Sequence, residues 1–265
     1  RCSITRRMII AVASFKGGVG KTTTAIHLAA YFQSFASTVL IDADPNRSSS
    51  AWAARGSLPF DVVDVWSPAR MRHYGHVVID TQARPVPEDL AMIADTCELI
   101  LLPTTPDILS LEALTLTLEH LHAIEARRYR VLMTIVPPKP SKDGEQTRAL
   151  LAESNIPVCK TAIRRLAAFH KAATAGTLVS NVRDPRSHLG WDDYQSVGAE
   201  LLGLTDPQKD ALESEDEPKE GEASKPPDPS PKSGDAPQPD PPEKRDLRHQ
   251  PDDLQYYDPP DTIEF

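Results

Sequence analysis

The sequence predicts an α/β fold: a doubly wound, mostly parallel sheet with helices on both faces, followed by a disordered C-terminal tail. Three observations predict it. Short apolar runs rich in Val and Ile alternate with helix-like stretches as far as about Leu202. A loop of glycines and lysines joins the first run to the first helical stretch. Near Gly203–Asp206 the composition changes, and 13 of the 25 prolines fall in the last 60 of the 265 residues.

In chain order, the runs at 8–14, 39–42, 60–65, 77–80, 99–103 and 131–136 carry little polar alternation, as strands buried on both faces should. Helices are expected at 22–34, 108–127, 146–154, 164–175 and 192–202. Strand alternating with helix implies parallel pairing and helices on both sides. Ligands of such sheets bind at the carboxyl ends of the strands. Three parts are expected: a short basic extension over 1–7, a body over 8–205 and a tail over 206–265. The chain opens on Arg1 and not Met, which is expected of a trimmed or internal start.

Composition narrows the class. The apolar stretch 8–15 is too short for a secretory signal core and runs into glycines. No stretch approaches the roughly 18 apolar residues of a membrane span. Cys2, Cys97 and Cys159 are far apart and form no metal or cluster motif, as expected of a cytoplasmic protein. The net charge of −9 divides unevenly: residues 206–265 hold 18 acidic and 7 basic residues, net −11, which leaves the rest at about +2. So polar and charged a tail cannot bury enough surface to offset chain entropy. No internal repeat is visible.

The glycine-rich loop reads Lys16-Gly17-Gly18-Val19-Gly20-Lys21-Thr22-Thr23. Glycines let backbone N–H groups turn inward around phosphate oxygens, a lysine reaches the β- and γ-phosphates, and a hydroxyl serves Mg²⁺. The strand before and the helix after put the phosphates on a helix N-terminus. A plain βα turn would not require Lys21 and Thr22 together. Lys16, at the mouth of the loop, lies outside its own cradle and suits a nucleotide held by a facing subunit.

These residues resemble the deviant Walker A family, which includes the ParA and MinD ATPases, and the stretch Val158–Val179 resembles the corresponding region of the small plasmid-type ParA proteins. The resemblance covers about residues 8–204. It implies a P-loop NTPase fold with ATP and Mg²⁺ as cofactors. Lys16 matches the signature lysine, Lys21 the phosphate lysine and Thr22 the Mg²⁺ ligand; Gly17, Gly18, Val19, Gly20 and Thr23 complete the cradle. A dimer sandwiching two ATP molecules is implied.

Two aspartate segments follow. Asp42-Ala43-Asp44-Pro45-Asn46 ends a strand, a common place for Asp and Pro. It looks like the family's Asp-x-Asp-Pro switch, with Asp44 organising Mg²⁺ and the attacking water and Asp42 holding the loop. Asn46 stands where glutamine is usual. The run 76–80 ends in Asp80, a Walker B pattern whose carboxylate binds Mg²⁺ through water. Gln82 either orients water or makes a loop contact. Lys16, Lys21 and Asp44 are the catalytic set, and Thr22, Asp44 and Asp80 the metal set, that the resemblance implies. Slow hydrolysis until a partner arrives is implied too.

Further along, Asp107 either caps the next helix or makes a dimer or switch contact. The strand ending near Thr134 leads to Pro137, which by resemblance stacks on the adenine. Arg164, Arg165 and Lys171 are either a solvated face or a patch tracking DNA phosphates without reading sequence. Arg183 and Arg186 could extend it. The functional expectation is a ParA-type ATPase, cytoplasmic and associated with the nucleoid. Its partners are a second copy, nonspecific DNA, and a ParB-like or cargo-adaptor protein that stimulates hydrolysis. A MinD-like membrane switch would need a basic amphipathic C-terminal helix, and this C-terminus is acidic and broken by proline. A bacterial tyrosine kinase is suggested only by Tyr256 and Tyr257, without a fuller tyrosine cluster. No membrane is expected.

Overall fold

The computed structural model describes residues 7–64 and 71–204. The expectations placed on 1–6 and on the tail lie outside the described residues. Six strands form one sheet: β1 (Met8–Ser14), β2 (Thr38–Ala43), β3 (Asp61–Val63), β4 (His76–Ala83), β5 (Leu99–Thr104) and β6 (Tyr129–Met133). Their order is β3-β2-β4-β1-β5-β6. Every pairing between these strands is parallel.

The missing polar alternation in the strands follows from burial on both faces. Along β1, Met8, Ile10 and Val12 join one core with Leu40, Val78 and Leu101, while Ala11 and Ala13 join the other with Val39, Ile79 and Ile100. The first core is closed by α1 (Lys21–Gln33), α2 (Ser48–Ala54), α6 (Ala167–Ala175), a 3-10 turn (Val179–Asn181) and α7 (Ser187–Leu204). The second is closed by α3 (Pro87–Thr96), α4 (Ile108–Ala123) and α5 (Asp143–Glu153).

This winding fixes where a ligand can sit. From β1 the chain returns through α1 on one face towards β2, whereas from β5 it proceeds through α4 on the other face to β6. The loops after β1 and β5 therefore diverge and leave a crevice at the carboxyl ends of the strands. Register brings the carboxylates to the same edge: Asp42 pairs with Asp80 across β2 and β4, and Asp80 faces Val12 of β1.

Several elements differ from expectation. The run 131–136 stops being strand at Met133, because Ile135 takes a left-handed φ of 52° and turns the chain away. Arg164 does not open a helix. It bridges to Val136 in extended backbone, and α6 starts only at Ala167. Helix α4 ends at Ala123, short of Arg127, where Glu125 has a φ of 55°. Helix α7 starts five residues earlier than expected, and α2 and α3 were not foreseen.

Candidate functional site

The phosphate loop occupies the crevice. Gly18 and Gly20 have φ of 79° and 85°, the left-handed region that side chains avoid, and Gly20 is the N-cap of α1. The loop is pinned from outside: Thr134 Oγ1 donates to the Val19 carbonyl at 2.8 Å, and the Lys16 amide donates to Ser14 Oγ at 3.2 Å. Helix α1 has no acidic residue in its first turn. Its positive end is left for an anion.

A cavity of about 710 Å³ opens over this loop. Gly17, Gly18, Gly20, Lys21, Thr22, Thr23, Asp44 and Asn46 line one part. Ile135, Ile163, Arg165, Leu166, Phe169 and Tyr194 line another, a mostly apolar wall suited to a flat ring. Pro137 is not in the lining, whereas Ile135, which has a left-handed φ of 52°, is.

Charges converge on the polar end. Lys21 is buried, and burial pulls its pKa below the ordinary lysine value, opposed by Asp80 and Asp44. Asp80 is 1 % exposed, and burial pushes its pKa up to about 6 against hydrogen bonds from Ser49 and Thr22 and the charge of Lys21. Ser49 Oγ donates to Asp80 Oδ2 at 2.7 Å, while Asp80 Oδ1 is buried without a partner. Asp42 is a structural group: its Oδ2 accepts from both the amide and the hydroxyl of Ser50, each at 2.7 Å. Asp44 lines the cavity and accepts from the amide and side chain of Asn46, at 2.9 and 3.0 Å.

This donor set fits Mg²⁺. Among the described residues no three His, Cys, Asp or Glu side chains gather as a metal cage. A hydroxyl beside one or two carboxylates, one with an open oxygen, suits a hard cation that keeps its waters and takes the rest of its shell from phosphate.

Two sequence candidates stand in unexpected company. Lys16 Nζ folds back across the crevice to Asp107 Oδ1 at 3.0 Å and Ser110 Oγ at 2.8 Å. Asp107 meanwhile caps α4 by accepting from the Ser110 amide at 3.0 Å. Burial opposes it, but hydrogen bonds from Thr105, Ser110 and Lys16 hold the Asp107 carboxyl well below the usual carboxylate range. Arg164, Arg165 and Lys171 form no patch of three free cations. Arg164 is clamped by Asp193 at 2.6 and 2.8 Å, Lys171 pairs with Asp184 at 2.8 Å, and Arg165 borders the cavity. Gln82 in β4 donates to Asp89 in the first turn of α3 at 3.2 Å. Ser49 and Ser50 were missed, because nothing in a run of three serines announces which carboxylates they meet.

A glycine-rich loop between β1 and α1, with Asp44 in the cavity lining and Asp80 buried in β4, on an all-parallel sheet defines a P-loop nucleotide-binding protein. Residues 10–179 match the CobQ/CobB/MinD/ParA nucleotide binding domain, and the chain belongs to that family. It is 33 % identical over 201 residues to the maintenance of carboxysome distribution protein A of Gloeobacter kilaueensis, covering 73 % of this chain and 93 % of that one. It is 27 % identical over 197 residues to the ParA protein of Rhizobium radiobacter, covering 68 % and 89 %. The fold is shared with an ATP complex of a single-residue variant of McdA from Cyanothece, at a TM-score of 0.57 and 18 % identity, over 79 % of this chain and 97 % of that one.

Proposed function

We propose that this chain is a ParA-type ATPase that positions a cargo, either DNA or a protein compartment, on the nucleoid. ATP and Mg²⁺ bind in the 710 Å³ cavity and favour a homodimer. The dimer holds duplex DNA without reading its sequence, and a ParB-like or cargo-bound adaptor stimulates hydrolysis and release. The relatives named for carboxysome distribution and for ParA support both kinds of cargo. Cytoplasmic, nucleoid-associated localisation goes with this reading. Among the described residues no helix is long and apolar enough to cross a membrane.

The observation that carries the reading is the meeting of Lys21, Thr22, Asp44 and Asp80 at the N-terminus of α1. Phosphoryl transfer needs positioning and charge neutralisation more than covalent chemistry. The loop amides and Lys21 hold the phosphates. Thr22, Asp44 and Asp80 would hold Mg²⁺, and the ion would supply neutralisation of phosphate charge. Asp44, fixed by Asn46, places the attacking water. Lys16, released from Asp107, adds positive charge to the partner's nucleotide. ATP shifts the dimer equilibrium only through contacts stronger in the dimer, and Lys16 supplies one.

Phosphate release and light scattering, followed together with Mg²⁺ and ATP or ADP, test this reading. Slow release with an ATP-specific doubling of mass is expected. ATP binding with neither dimer nor release would leave a binding module and overturn it.

A further inference from the structure

Helix α2 stands between the carboxylates and α6, and is fastened at both ends. In its first turn Ser49 is fully buried and donates to Asp80 Oδ2, and Ser50 donates twice to Asp42. At its far end Trp52 Nε1 donates to the Thr177 carbonyl at 3.1 Å, and Arg55 Nε to the Ala173 carbonyl at 2.9 Å. The chain just past α2 presses on the chain just past α6 with no room for a side chain. A Cβ on Gly56 would stand 2.4 Å from the Ala175 carbonyl oxygen, and one on Gly176 would stand 2.3 Å from the Gly56 nitrogen.

A second link reaches the same segment from the phosphate loop. His27 Nδ1 donates to the Thr23 carbonyl at 2.7 Å, and its Nε2 accepts from the Val179 amide at 3.0 Å. Thr177 accepts one bond from α2 and Val179 donates one to α1, the two helices that begin at the candidate site.

We propose that Ser49 is a positioning residue for Asp80, and that α2 carries occupancy of the metal side of the site to Thr177–Val179. The inference rests on the reading of the cavity as an ATP and Mg²⁺ site. With Oδ2 held by Ser49, the buried Oδ1 is the carboxylate oxygen left without a partner for a cation, and a helix of seven residues, about 10 Å long, moves as one piece. The Gly56–Gly176 contact leaves no slack, because packed interiors transmit displacement instead of absorbing it. Were Ser49 only a buried hydroxyl that had found the nearest acceptor, its loss would change stability and not metal affinity.

The test uses the full chain with Trp66→Phe and Trp191→Phe, which leaves Trp52 as the sole tryptophan of three. Trp52 emission is followed as Mg²⁺ is added in excess ADP, with ADP binding measured separately by calorimetry. Mg²⁺ changes the emission in this background. Ser49→Ala needs about 10- to 100-fold more Mg²⁺ and shows a smaller change, while Ser49→Thr keeps both. Ser49→Thr and Ser49→Val, alike in shape with and without the hydroxyl, make the same comparison where Ser49→Ala does not fold. Equal Mg²⁺ requirement and amplitude without the hydroxyl, in a chain that binds ADP, would overturn this inference alone. A parent chain that binds no ADP would overturn the nucleotide reading with it.

Discussion

Lys16 is held where it is by a bond that is easily given up. Its ammonium is 30 % exposed and the Asp107 carboxylate 47 %, and pairs so open to water contribute about 0.2–1 kcal/mol. Asp107 loses little when Lys16 leaves, since Thr105 and the Ser110 amide and hydroxyl remain on it. Lys16→Ala should therefore leave ATP affinity within about twofold and abolish the ATP dimer; light scattering showing a normal dimer would contradict this. Asp80 is the opposite case, a carboxylate kept ionised at a cost. Its folded pKa of about 6 lies above the ordinary 3.8, so in the metal-free protein its contribution to stability falls as pH rises between those values. Asp80→Asn should raise the melting temperature at pH 7 without Mg²⁺, and remove any further rise on adding Mg²⁺ and nucleotide. The strand, glycine-rich loop and helix 8–33 and the strands that carry Asp42 and Asp80 were legible because each is a contiguous pattern. The Ser49–Asp80 bond spans 31 positions and leaves no local mark, and no sequence feature shows the left-handed turn at Ile135, after which Pro137 lies outside the cavity lining.

At the scale of elements, β1 runs over the residues expected, Met8–Ser14, and the long helices were found with their ends displaced by up to five residues. Short helices escaped. Helix α2 opens on Ser48, Ser49 and Ser50, which favour caps and turns over helix interiors, and forms because its hydroxyls and Trp52 find buried partners. Helix α3 did carry a signal in Pro87 at its first turn followed by Glu88 and Asp89. Helix α1 makes a prediction of its own through His27, fully buried among Trp52, Phe169 and Tyr194. Burial pulls its pKa down to about 4, below the ordinary 6.5, against the hydrogen bond to Thr23. A histidine held neutral in the fold contributes stability that is fully present above pH 6.5 and lost as pH falls towards 4. His27→Gln cannot take up that proton. Its stability deficit at pH 7, measured by urea unfolding, should shrink by about 3 kcal/mol at pH 4. An unchanged deficit would mean that His27 takes up its proton in the fold as readily as in the unfolded chain.

For the whole molecule, charge is divided between a body of about +2 and a tail of −11. That division is legible in composition alone, as is the parallel sheet in the alternation of runs; the pairing of Arg164 with Asp193 and of Lys171 with Asp184 is not, because ion pairs across elements follow from packing. On the proposed reading, an acidic tail joined to a body that holds DNA would compete with phosphate for the same cations, an effect confined to low ionic strength by screening. Ending the chain at Leu204 should strengthen binding to duplex DNA severalfold at low salt and little at 0.3 M. Equal affinities at low salt would remove any electrostatic role for the tail.

The central claim is that nucleotide state governs attachment to DNA. Binding of the full chain to a random-sequence duplex at one fixed salt concentration, with no nucleotide, with ADP and Mg²⁺, and with ATP and Mg²⁺, tests it most directly. The account predicts tight binding with ATP alone. Binding that is equal in the three states, or absent from all of them, would contradict it.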